Sequence, residues 1–71
     1  MLTREFLMHI DPTMKVIQFD EDAKDGNFRK EDEAGALALA HHFDYDSHII
    51  NFMIHQDCVT IFIKRNKEDK K

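Results

Sequence analysis

Ile49-Ile50-Asn51-Phe52-Met53-Ile54 and Val59-Thr60-Ile61-Phe62-Ile63 are two apolar runs parted only by His55-Gln56-Asp57-Cys58. β-Branched and aromatic side chains suit a pleated, half-buried surface, and a short polar connection between two such runs predicts a β-hairpin. Alternation would turn Ile50, Phe52 and Ile54 to one side, with Val59, Ile61 and Ile63 beside them. The hairpin supplies much of the core and carries no reactive group.

Toward the N-terminus, the composition of residues 30–43 shifts to alanine and leucine, which predicts a helix. On a helical wheel Ala36, Leu39, Ala40 and Phe43 share an arc that Leu37 widens. Glu31, Asp32 and Glu33 would occupy its first turn, where carboxylates meet the positive end of the helix dipole. Asp44-Tyr45-Asp46-Ser47 then breaks the pattern before the hairpin. Residues 20–27 hold acids, one lysine and Gly26 but no large apolar side chain, which predicts an exposed loop.

Met14-Lys15-Val16-Ile17-Gln18-Phe19 predicts a strand whose adjacent Val16 and Ile17 require either a bulge or cover on both faces. Arg4-Glu5-Phe6-Leu7-Met8-His9-Ile10 alternates with Phe6, Met8 and Ile10 on one face, a further strand that Asp11-Pro12-Thr13 would end. The expected fold class is α+β, a two-layer sandwich in ββαββ order, with one helix on a three- or four-stranded, mainly antiparallel sheet. Residues 1–64 form one small domain in this reading, and residues 65–71 a charged, disordered tail. A single helix covers only one face of such a sheet. Leu7, Ile49, Met53 and Phe62 would therefore collect on the open face among His9, Asn51 and His55, as a candidate partner-binding site.

A chain of 71 residues buries about 60% of the surface it exposes when unfolded, too little for a deep catalytic cleft. Its single cysteine, Cys58, excludes an intrachain disulfide. No basic start followed by a long apolar stretch is present, so a reducing, cytoplasmic setting is expected. The apolar runs are shorter than the ~20 residues of a membrane span, and the net charge of −4 would be repelled by anionic lipid, so no membrane is expected. Fourteen acidic against ten basic residues also argue against direct nucleic-acid binding, which needs cations to displace phosphate counterions.

Five histidines raise the question of metal, but only His55 and Cys58 have the spacing of a ligand pair, and a closed zinc site needs four ligands. The bland alternative places His41 and His42 at the negative end of the helix dipole and His55 in a turn. Asp44, Asp46 and His48 alternate like the start of a calcium loop, without its central glycine or closing glutamate. Cys58 beside His55 lacks the orienting group and oxyanion donors of a thiol nucleophile, and two glycines make no phosphate-cradling loop. No catalytic residue, metal or cofactor is therefore assigned, and the chain is not expected to be an enzyme. A different possibility lies in Asp20, Glu21, Asp22 and Asp25, with Glu31 and Asp32 beyond them: an acidic surface could stand in for the phosphates expected by a nucleic-acid-binding protein.

The order of predicted elements resembles the N-terminal domain of Nfu/NifU-type iron-sulfur scaffold proteins. Leu39-Ala40, Ile49 to Ile54, and Asp57-Cys58-Val59-Thr60-Ile61 are similar to that domain's helix, strand and D-h-[IV]-T-V closing strand, and Pro12, Thr13, Lys15 and Phe19 to its early positions. The resemblance implies an accessory, partner-binding domain in iron-sulfur assembly. The cluster-binding C-x-x-C of such scaffolds belongs to a separate domain, so no cluster ligand falls on residues of this chain.

The expectation is thus a non-catalytic protein-protein interaction module that engages another protein, or itself as a homodimer, through that open face or through the edge of its hairpin. The alternative is a small acidic inhibitor of the phage or plasmid type, seated on the basic, nucleic-acid-binding site of a larger protein. A His/Cys metal-binding protein ranks third.

Overall fold

The computed structural model describes residues 1–23, 28–44 and 47–65, with the backbone alone for residues 42–44. Its elements are α1 (Thr3–Met8), β1 (Lys15–Asp20), β2 (Arg29–Glu33), α2 (Ala34–Asp44), β3 (Ser47–Ile54) and β4 (Cys58–Arg65). The result is a small α+β domain with one main helix and a four-stranded mixed sheet in the order β2-β1-β4-β3. The turn expected at Tyr45-Asp46, the loop at Lys24 to Asn27 including Asp25, and the tail beyond Arg65 lie outside the described residues.

The hairpin forms where its apolar runs place it. Phe52 stands opposite Ile61 and Ile54 opposite Val59, and the His55 N–H donates to the Cys58 carbonyl at 2.8 Å to close the turn. A register shift between Ile49 and Asn51 interrupts β3. Val59, Ile61 and Ile63 point under the helices and join Val16, Leu7, Ala34, Leu37 and Ala38 in the core. Complete burial of Leu7, Ile61, Ile63 and Val16 contributes about 1.5–3 kcal/mol for each such side chain.

Four expectations are corrected. The strand across Arg4 to Ile10 is the helix α1. Over seven residues an alternating pattern and a helical one overlap, and burial decides between them. Thr3 and Leu7, four apart, are both fully buried, whereas Met8 is exposed. The helix stops at His9, whose N–H donates to the Phe6 carbonyl and whose Nδ1 lies 2.7 Å from the Glu5 carbonyl. Asp11 then organises the turn, accepting bonds from the Thr13 N–H at 2.9 Å and hydroxyl at 2.8 Å. Those two bonds, the backbone one first, hold its carboxyl below the usual 3.8.

Glu31, Asp32 and Glu33 do not open the helix but lie in β2, a strand made of Arg29-Lys30-Glu31-Asp32-Glu33. No apolar pattern announces it. It forms because β1 offers an antiparallel partner from Lys15 to Phe19, and an edge strand leaves one side of every residue in water, where charge is tolerated. The helix begins only at Ala34, where the Ala34 and Gly35 N–H groups donate to the Met14 and Pro12 carbonyls, both at 2.9 Å.

Its buried arc is rotated from the expected one: Ala34, Leu37, Ala38 and His41 face inward, while Ala36 and Leu39 are exposed. Alanine-leucine repetition leaves the phase of a helix open, because small residues fit either against a sheet or in water. Finally, the sheet is mixed. α2 carries the chain back along the sheet, so β3 starts in the direction of β2 and β4 returns parallel to β1 at the centre. Both helices pack into the one core on the same face, and among the described residues no helix covers the other face.

Candidate functional site

The four residues expected to share an open face are divided by the fold. Leu7 is buried in α1 at 1% exposure, and Ile49 packs against the core from β3. Met53 pairs with Thr60 and Phe62 with Phe19, and these two do lie on the uncovered face. The register shift at Ile49 separates it from Met53, since displacement by one residue turns a side chain to the opposite face.

On that face Phe62 stacks on Phe19 with centroids 5.2 Å apart and planes at 14°, and Phe28 follows at 6.4 Å from Phe19. A row of rings on an open sheet can stack nucleic-acid bases when cations surround it. Here the neighbouring cations already have carboxylate partners: Lys15 with Glu31 at 3.1 Å, Arg29 with Glu31 at 3.5 Å, and Lys64 with Glu21 at 3.9 Å. The Lys15 hydrogen bond and charge hold the Glu31 carboxyl below its ordinary 4.5.

The acidic residues are similarly engaged. Asp20 is buried, accepts a bond from the Asp22 N–H at 2.9 Å and meets Arg65 Nε at 3.0 Å. Asp22 in turn accepts from the Arg65 N–H at 2.9 Å, so these two carboxylates fasten the end of β4 to the segment after β1. Asp32 accepts from the Glu33 N–H at 2.8 Å. Of the expected acidic surface, Glu21, Glu31 and Asp32 are exposed, and Asp25 lies outside the described residues.

His55 Nε2 lies 3.2 Å from Thr60 Oγ1 across the hairpin, and Cys58 is half-buried. Among the described residues no group of three or more His, Cys, Asp or Glu is placed to hold a metal. His41 is interior at 3% exposure, with Nε2 2.6 Å from Gln18 Oε1 and Nδ1 3.4 Å from Ser47 Oγ. Ser47 donates to Thr3 Oγ1 at 2.7 Å, extending the string from β1 through α2 and β3 to α1. An amide oxygen only accepts, so Nε2 donates to Gln18; the one hydroxyl proton of Ser47 goes to Thr3, which leaves the 3.4 Å approach of Nδ1 a contact, and these polar groups sit inside the core as structural pairs.

The other expected surface, the edge of the hairpin, is the outer side of β3. Among the described residues Ile50, Phe52, Met53 and Ile54 are 45%, 49%, 48% and 72% exposed, contiguous but for Asn51, on a strand whose only titratable side chain is His48. Phe52 is braced from behind by Phe6, with ring centroids 5.9 Å apart. Beside it a hollow of about 350 Å³ is bounded by Met1, Phe6, Ile49, Ile50, Asn51 and Phe52. A larger apolar groove of about 730 Å³ runs between the helices, lined chiefly by Leu7, Met8, Ile10, Pro12, Ala38 and Leu39. The signal for the edge was present in the uncharged run itself, but which strands lie at the sheet's edges depends on strand order, which local pattern does not encode. Among the described residues no helix is long and apolar enough to cross a membrane. Comparison with protein-family models, curated proteins and solved structures found no match.

Proposed function

We propose that this chain is a non-catalytic protein-interaction module whose working surface is the outer edge of β3. One observation carries the reading: the two edges of the sheet are opposites. β2 presents five charged residues, the usual guard of a free edge, whereas β3 presents Ile50, Phe52, Met53 and Ile54. An exposed apolar edge of this kind offers both area and unpaired main-chain groups to an added strand. The partner is another protein or a second copy of the chain. Its process, iron-sulfur assembly, rests on the sequence resemblance alone.

The acidic-inhibitor reading has less behind it, because Asp20 and Asp22 are used inside the fold and Glu31 is shared between two cations. The two readings separate by charge and salt. Ile54→Lys should abolish association with any protein partner, and Glu21→Lys should leave it intact at both low and high salt. Association that survives Ile54→Lys but disappears with salt or with Glu21→Lys would replace the edge with the acidic surface.

A further inference from the structure

We infer that the partner of the β3 edge is β3 of a second copy, paired antiparallel about a twofold axis at Phe52. This rests on the interaction-module reading above and narrows it to one occupant.

The free part of the edge is short and its limits are set by the fold. Leu2 forms an antiparallel bridge with His48, and the Ile49 N–H donates to the Met1 carbonyl at 3.1 Å, so the chain's own first residues occupy the start of the edge. What remains before the turn is Ile50 to Ile54, five residues with Phe52 at their centre. Five is a common strand length, and the stretch reads Ile-x-Phe-x-Ile in either direction. Antiparallel self-pairing thus sets Phe52 against Phe52, Ile50 against Ile54, and Asn51 against Met53. Each second-copy Ile54 arrives beside Ile50, at the hollow bounded by Met1, Phe6 and Phe52.

The main chain is oriented for it. The bond from the His55 N–H to the Cys58 carbonyl makes that a hydrogen-bonded pair, and antiparallel alternation makes Ile54 with Val59 and Phe52 with Ile61 non-bonded pairs. The N–H and C=O groups of Phe52 and Ile54 therefore point away from β4. In the single chain the Phe52 N–H is held by its neighbour's Asn51 Oδ1 at 2.8 Å, a bond that pairing exchanges for a carbonyl.

Charge selects the second copy over the other available edge. In a twofold contact every side chain meets its own symmetry mate or one close to it, so a charged strand repels itself; Ile50 to Ile54 carries no charge in a chain that is 34% charged. Pairing β3 with β2 of another copy would instead lay the apolar edge along Arg29-Lys30-Glu31-Asp32-Glu33, and that head-to-tail contact would leave further edges open to polymerise.

The test is the mass of the full chain by analytical ultracentrifugation across a wide dilution series. The expected result is a reversible species of twice the 8.4 kDa monomer mass. Ile54→Pro removes an outward donor without touching a bond to β4, so it should lose the dimer while keeping the circular dichroism of the parent and the urea midpoint that the parent shows at dilutions where it is monomeric. Phe52→Glu and Phe52→Lys should each be monomeric alone and form a dimer when mixed, since only a twofold at Phe52 sets the two charges together. A parent chain that stays monomeric throughout, a dimer indifferent to Ile54→Pro, or Glu and Lys variants that fail to pair on mixing would each overturn the inference. A monomeric parent that binds a different protein through an Ile54-dependent contact would overturn self-pairing and leave the module reading standing; no Ile54-dependent contact of any kind would remove both.

Discussion

The interior string of Gln18, His41, Ser47 and Thr3 makes a demanding prediction because it joins four elements that share no local sequence relation. Replacing Gln18 with methionine removes the acceptor of the His41 Nε2 proton, 2.6 Å away, at a site where both side chains are 3% exposed. A buried donor left without its partner costs about 1–3 kcal/mol, whereas replacing both partners by apolar groups of similar shape is close to neutral. Gln18→Met and His41→Leu should therefore each destabilise by about 1–3 kcal/mol, and the double variant by clearly less than their sum, with a coupling of about 1–2 kcal/mol. A protein of this size has a urea m-value near 1 kcal/mol/M, so each single change should lower the unfolding midpoint by about 1–3 M. Total stability for 71 residues is about 4–10 kcal/mol, and the losses are large enough to measure and small enough to leave a folded population. Urea unfolding of the four proteins at equal m reads the cycle. Additivity within about 0.5 kcal/mol would refute the argument that the two side chains satisfy one another.

Further predictions follow from the same geometry. Ile61→Ala, at a fully buried position on a central strand, should cost about 2–5 kcal/mol in chemical denaturation, a large fraction of the total; a loss below about 1 kcal/mol would place Ile61 outside the core. Gly35→Ala should destabilise despite alanine's better helix propensity, because the new Cβ would sit 3.2 Å from Pro12 Cβ and 3.3 Å from its carbonyl oxygen, while the Gly35 N–H bond to that oxygen resists retreat; a raised melting temperature would contradict this. Glu31 has a folded-state carboxyl held below 4.5, so the Lys15 contact contributes stability above that value and loses it as pH falls through the lower folded one. Lys15→Met should raise the Glu31 titration seen by NMR toward 4.5 and flatten the acid limb of stability; an unmoved Glu31 would show that the pair does not form in solution.

The hairpin was legible because Ile49 to Ile54 and Val59 to Ile63 combine strand-forming side chains with a short turn, and local chemistry suffices for that. The start of the first element was not, because Phe6, Leu7, Met8 and Ile10 satisfy a strand and a helix equally over so short a span. β2 was invisible: Arg29 to Glu33 has no apolar residue, and its strand exists only through main-chain pairing to β1. The candidate surface shows the same split. Met53 was named from the sequence, while Phe52 and Ile54 were assigned to the buried side of the sheet and turn out to be substantially exposed there, Phe52 even where it meets Phe6 of α1.

Residue composition and local pattern were enough to read a small acidic α+β chain whose core is built on a C-terminal hairpin. Those properties depend on composition and on contacts between residues close in the chain. The parallel pairing of β1 with β4, the interior places of Asp20 and His41, and the positions of the charged β2 and the apolar stretch of β3 at the two edges emerge from the packed chain. Each of these depends on contacts between residues distant in sequence, where the same local pattern can be buried or exposed according to what the rest of the chain packs against it.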